Sequence, residues 1–137
     1  MNMRKVFFFL FVLLLCLAKA DAQTVTLSVL TNGAWEMVSP DLSSYRKTVY
    51  QFSNCKIQES LYIVKLDRQV VLSHDYYLSD EPVTAFDKSQ VRKHQSGRYI
   101  IHQDSGGKAF WYQVTSASTN RLCLKTPDGL EIELKKK

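Results

Sequence analysis

The chain has 137 residues, with 18 Lys and Arg against 13 Asp and Glu and a formal net charge of +5. That length supports one domain with one core. The charge is too mild to point to nucleic acid, and there is no internal repeat, low-complexity stretch or domain linker.

Taken in chain order, the first segment is a leader. Arg4 and Lys5 stand at the front, Val6 to Leu17 is an unbroken apolar run, and Ala20-Asp21-Ala22 places small residues where a signal peptidase reads them. Together these make an export signal. The run falls short of the roughly 20 apolar residues that a bilayer span takes. Cys16 follows Leu15, where a lipobox normally has a small residue, so cleavage after Ala22 is expected in preference to lipidation of Cys16. The expected division is residues 1–22 as signal peptide and 23–137 as the folded domain, periplasmic or secreted, with no transmembrane segment left after cleavage. Loss of Arg4, Lys5, Lys19 and Asp21 leaves 15 basic and 12 acidic residues, a net charge of +3. Lys135-Lys136-Lys137 reads as a solvated tail, with too few cations to hold a membrane surface alone. Cys55 and Cys123 remain after cleavage. Their even number permits one disulfide outside the cytoplasm, against two unpaired thiols.

The rest of the chain alternates apolar and polar residues in short runs broken by turn residues, the period-2 pattern of half-buried strands. Strands are expected at Gly33–Ser39, Arg46–Ser53, Lys56–Leu66, Gln69–Ser79, Val83–Phe86 (short), Gly97–Gln103, Lys108–Thr115, Asn120–Thr126 and Leu130–Lys135. Thr24–Leu30 adds a strand or a closing turn. No segment has helical periodicity. In the last hairpin, Thr126-Pro127-Asp128-Gly129-Leu130 is a type I turn completed by a left-handed Gly. It sets Leu124 opposite Ile132 and Leu122 opposite Leu134 on an apolar face, with Lys125–Glu131 and Cys123–Glu133 on a charged one. Pairing Gln103 with Lys108 sets Ile101 against Phe110 and Tyr99 against Tyr112. A turn at Asp67-Arg68 sets Leu61 and Ile63 against His74 and Leu72. Eight or so antiparallel strands in an up-and-down meander with one apolar face either split into a sandwich or close into an all-β barrel; closure removes both sheet edges and is the expected outcome. The interior of such a barrel is filled by side chains or holds one small ligand.

Two stretches carry a resemblance. Gly33-Ala34-Trp35 resembles the Gly-x-Trp signature of lipocalins and related barrels, in which the Trp packs across the closed end. Tyr76-Tyr77-Leu78-Ser79, Phe86-Asp87-x-Ser89-x-Val91 and Ser96-Gly97-Arg98-Tyr99-Ile100-Ile101 look like the small secreted lipocalin-like (calycin-type) proteins common in Bacteroidota. The resemblance spans about residues 27–135. It implies a structural role for Gly33 and Trp35 and, by default, carriage of a small molecule. No Thr-Asp-Tyr-like motif is present. Candidates for the basic residue that covers the Trp in that family are Arg121, which the hairpin register points outward, and the terminal lysines.

The chemistry-bearing residues do not assemble into a catalytic site. His74, His94 and His102 lack zinc-ligand spacing. Ser73 and Asp75 point away from His74 on a strand, so Ser73-His74-Asp75 is no triad. Gly106-Gly107 is a hairpin turn, and the acids form no obvious inward pair. Neither enzymatic activity nor a cofactor is expected. The inward-facing candidates for a ligand cavity are Tyr50, Phe52, Ile63, Leu72, His74, Tyr76, Tyr99, Phe110 and Tyr112, while Trp111 faces out. These side chains either fill the barrel or line an aromatic cup in which His74 is a polar anchor. The expected partner is therefore a small hydrophobic or amphipathic ligand. The alternative is a barrel-scaffold protease inhibitor or protein-binding module, acting through residues 23–30 or the loop Asp87–Ser96.

Overall fold

The computed structural model describes residues 23–38, 46–104 and 106–137. Residues 1–22, where the export signal is expected, lie outside the described residues, as do residues 39–45. The described residues form ten strands: β1 (Val25–Thr26), β2 (Ala34–Met37), β3 (Arg46–Phe52), β4 (Lys56–Ile63), β5 (Arg68–Ser79), β6 (Ser96–Gly97), β7 (Tyr99–Gln103), β8 (Ala109–Ala117), β9 (Arg121–Lys125) and β10 (Glu131–Lys136). Eight of them close into an antiparallel barrel in the order β10-β2-β3-β4-β5-β7-β8-β9. This is the expected up-and-down meander. No described helix is long and apolar enough to cross a membrane.

One end of the barrel is plugged by the segment before β2. Val25 and Thr26 pair with Gly97 and Ser96, and a five-residue helical turn, Leu27–Thr31, follows. Thr26 caps it by accepting from the Val29 N–H at 3.2 Å. Leu27 and Leu30 point into the barrel and are buried. Gly33, at φ +96°, takes the left-handed conformation that turns the chain up into β2. Trp35 is fully buried beneath this turn. Its ring N–H donates to the Leu30 carbonyl at 3.1 Å, and the Lys136 ammonium lies 5.1 Å from its ring centre. A terminal lysine thus covers the Trp, while Arg121 faces out and pairs with Glu133 at 2.5 Å. Above Trp35 the inward residues pack into one core that includes Phe52, Tyr76, Leu78, Ile100, Leu122 and Leu134. The buried Tyr76 hydroxyl donates to the Ser53 carbonyl at 2.6 Å.

The β9–β10 register is as expected, with Leu124 opposite Ile132 and Leu122 opposite Leu134. The β7–β8 register is one residue off expectation. His102 faces Phe110, Ile100 faces Tyr112 and Tyr99 faces Gln113, because Asp104 rather than Gln103 closes the turn. The Asp104 N–H donates to the Lys108 carbonyl at 2.9 Å. Its carboxylate accepts from the Gly106 and Lys108 N–H groups, both at 2.9 Å. The β4–β5 pairing is shifted by four residues, so His74 faces Ile57 and Leu61 faces Val70. Here the chain turns through a 3-10 segment, Val64–Leu66, with Asp67 left-handed, instead of at Asp67-Arg68. An even shift leaves every side chain on its expected face.

Val83–Phe86 is not a strand; only Ala85 bridges, to Lys108. The surrounding loop lies on the outer wall instead. The Phe86 ring is 5.1 Å from Tyr77, and both Tyr77 and the outward Ile101 are buried. Cys55 and Cys123, the candidates for a disulfide, are both free thiols in this structure. Cys55 sits in the β3–β4 turn, while Cys123 is on the outer face of β9, opposite Glu133.

Candidate functional site

The strand directions put the turns at Val64–Asp67, Asp104–Lys108 and Thr126–Leu130 at the end opposite the Trp35 plug. A funnel opens there. It encloses about 420 Å³ of empty space counted out to its mouth. Its enclosed base is a cavity of about 20 Å³, room for about one or two waters. The barrel is therefore packed below and open above.

Alternation on five successive strands supplies the funnel's polar wall. Tyr50 on β3 and Glu59 on β4 are cross-strand partners. Next come His74 on β5 and His102 on β7, their rings 5.1 Å apart. Tyr112 on β8 stacks against His102 at 5.4 Å. The floor is apolar and includes Ile57, Ile100, Leu124 and Leu134. His74 also borders a side notch with Ser73, Asp75 and Gln103, because β5 pairs with β7 only from Tyr76 onward.

Burial sets the protonation of this wall. It raises the Tyr50 phenol, and the nearby Glu59 carboxylate raises it further. Burial and then the Glu59 charge push Tyr112 up to about 12. Burial lowers His102 below the usual imidazole value, and the adjacent His74 adds to that. His102 Nδ1 lies 3.3 Å from the Gln103 carbonyl. A carbonyl can only accept, so Nδ1 carries the proton and Nε2 is left as an acceptor. Near neutral pH the funnel thus presents two neutral phenols and the neutral His102 imidazole, beside the Glu59 and His74 side chains, above an apolar floor.

The nine inward candidates are distributed unevenly. Tyr50, Phe52, His74 and Tyr112 line the funnel together. Phe110 stands beside them, its ring 5.2 Å from His102. Tyr76 lies deeper, in the core. Ile63 and Leu72 share the inward face but sit higher on the β4–β5 hairpin, where Leu72 is 43% exposed. Tyr99 does not point inward: the one-residue register difference turns it out beside Trp111, edge-on at 5.4 Å. Sequence reasoning leaves out the polar Glu59 and His102 and the apolar Ile57, Ile100, Leu124, Ile132 and Leu134. Glu59 shares the parity of Ile57, Leu61 and Ile63, so alternation alone is enough to place it inward.

Residues 23–30 and the loop Asp87–Ser96 are the two segments expected to serve an outer-surface mode of action. The first is the plug. In the second, Arg92 contacts the Cys55 thiol at 3.3 Å, and its N–H donor holds that thiol below its usual pKa. No group of three or more metal-ligating side chains occurs among the described residues.

The eight-strand antiparallel barrel is compatible with a calycin-like fold. No family model, curated protein or solved structure matches this chain.

Proposed function

We propose that this is an exported lipocalin-like binding protein that holds a small amphipathic molecule in the funnel. The observation that carries the reading is the convergence of Tyr50, Glu59, His74, His102 and Tyr112 above an apolar floor. Few polar groups set over apolar walls are the usual composition of a small-molecule site. Glu59 is the sole carboxylate on that wall, and the two phenols are donors. The polar end of the ligand is therefore a group that both gives and accepts hydrogen bonds, with a cationic or N–H portion against Glu59. The apolar end rests on Ile100 and Leu124. The shallow enclosed base limits how far the ligand descends, so it occupies the mouth and displaces water there.

The test is uptake of an amine-bearing hydrophobic fluorescent probe, with Glu59→Gln and Tyr112→Phe as variants. Binding should weaken about tenfold or more for Glu59→Gln, the size of effect expected when a charge-assisted hydrogen bond is lost. A wild type that takes up no such probe, with nothing copurifying by mass spectrometry, would sink the proposal.

A further inference from the structure

We propose that the tip of the β4–β5 hairpin docks on an anionic lipid surface, with Val64 and Leu66 entering the headgroup layer. The proposal rests on a different region from the funnel and does not depend on the funnel's ligand.

On its β5 side the hairpin outruns its neighbour, while β3 accompanies β4 up to Ile63. β5 pairs with β7 only from Tyr76, so residues 68–75 have β4 on one side and, among the described residues, no strand paired on the other. Six of the eight large apolar side chains exposed among the described residues stand on this hairpin: Tyr62, Val64, Leu66, Val70, Val71 and Leu72. Leu66 is 61% exposed, at the apex. Four cations accompany them. Arg46, Ile63 and Arg68 form one cross-strand row, and Lys47, Tyr62 and Gln69 the next. Lys65 stands between Val64 and Leu66. Asp67 is the one acid of the tip, and it accepts a hydrogen bond from Tyr62 at 2.5 Å. The next acid down the hairpin is Glu59, four rows below the Arg46 row and about 13 Å away at the usual strand rise. The two ion pairs among the described residues, Lys56–Asp75 and Arg121–Glu133, lie elsewhere.

Geometry and charge together choose the occupant. Cross-strand partners share a face, so Val70 and Leu72 lie on one face of the hairpin, Tyr62 and Val71 on the other, and Val64 and Leu66 at the end. A strand added to the free edge would leave both faces wet, whereas a lipid interface surrounds the tip on every side. The net positive charge of the tip matches lipid phosphate. Insertion is shallow, because the unpaired backbone edge of β5 must keep its water, and headgroup depth allows that. The funnel opens at the same end of the barrel, so docking would bring its mouth to the lipid surface.

The test is cosedimentation of the purified full chain, as recovered from cells, with vesicles of phosphatidylglycerol and phosphatidylcholine in equal parts, and with phosphatidylcholine alone. Binding is expected to the mixed vesicles, to be much weaker to phosphatidylcholine, and to be reversed by salt. Lys65→Ser with Arg68→Ser should weaken it roughly twenty-five-fold, about fivefold per basic side chain at an anionic surface. Leu66→Ser should weaken it while keeping the salt dependence. These positions are exposed, and circular dichroism checks that each variant is folded. Leu66→Trp gives a second reading, since its added fluorescence should be quenched by brominated lipid in the mixed vesicles. The proposal is overturned by no binding to mixed vesicles, by equal binding to both kinds, by binding that survives the tip substitutions, or by added indole fluorescence in Leu66→Trp that brominated lipid leaves unquenched. It is also overturned if sedimentation velocity shows the tip joining two copies in a dimer that Leu66→Ser dissolves.

Discussion

At the plugged end, Trp35 is fully buried, its ring N–H is satisfied by Leu30 and Lys136 lies over its face. At the other end, Glu59, His74 and His102 stand on the same barrel wall with open space above them. The two ends follow one alternation rule and differ in what occupies the inward positions and in what covers them. Large apolar side chains under a helical turn make a solid cap. Polar and aromatic side chains at the other end line an open funnel. Period-2 patterning reports which face a residue takes, and it is silent about depth along the barrel axis.

That contrast makes stability and binding separable, and substitutions at the two ends should divide accordingly. Trp35→Ala should cost about 3–5 kcal/mol, the usual range for emptying a large buried aromatic position, read from urea unfolding. A loss below about 1 kcal/mol would mean that the plug is not what holds the barrel. Gly97→Ala comes next. A Cβ there would sit 2.7 Å from the Ser79 N and 2.8 Å from its carbonyl oxygen, so β6 must shift and carry the plug with it. The expected loss is about 1–3 kcal/mol. Lys136→Ala removes the cation over Trp35 and should cost about 0.5–1 kcal/mol, with probe binding unchanged. Glu59→Gln, at the open end, should change the unfolding free energy by no more than about 0.5 kcal/mol while binding falls.

The smallest effect concerns pH. The His102 pKa is lower in the fold than its ordinary 6.5. The unfolded chain therefore takes up a proton first as pH falls. Stability should be complete above the ordinary value and decline as pH drops from there through the lower folded value. His102→Gln should flatten that decline, and a variant with an unchanged slope would show that another group carries it.

How far the sequence reaches is clearest in the two hairpins at the open end. The turn at Thr126–Leu130 is readable from Pro-Asp-Gly, and its register follows. The turn at Asp104–Lys108 has the same three-residue geometry. The Gly129 N–H donates to the Thr126 carbonyl at 3.0 Å, and the Gly107 N–H to the Asp104 carbonyl at 3.1 Å. Reading Asp104-Ser105-Gly106-Gly107 as a four-residue loop moves the pairing by one, and a slip of one exchanges the faces of a whole strand. That slip is what turns Tyr99 inward on paper and hides His102. Apolar content cannot arbitrate, because Tyr99 and Ile101 are as credible a core pair as Ile100 and His102. The loop Asp80–Gln95 buries Ile101 and Tyr77 on the outer wall, so β7 is apolar on both faces and carries no clear alternation. Glu59 is the opposite case. Its parity is legible, but a lone acid between apolar neighbours reads as exposed until its companions on the next strands are known.

The seam between β10 and β2 pairs Lys136 with Trp35 and Leu134 with Met37. It joins the last strand of the barrel to its first. Every other pairing between the barrel's own strands joins successive members of the meander, at a lower entropic cost per step. The seam must instead close a loop of nearly a hundred residues, the slow kind of contact in a folding reaction. Until residues 131–136 arrive, β2 and β9 each present an unpaired edge, which makes the growing sheet prone to pairing with other chains. The final six-residue strand therefore sets the moment at which the nascent molecule stops needing protection.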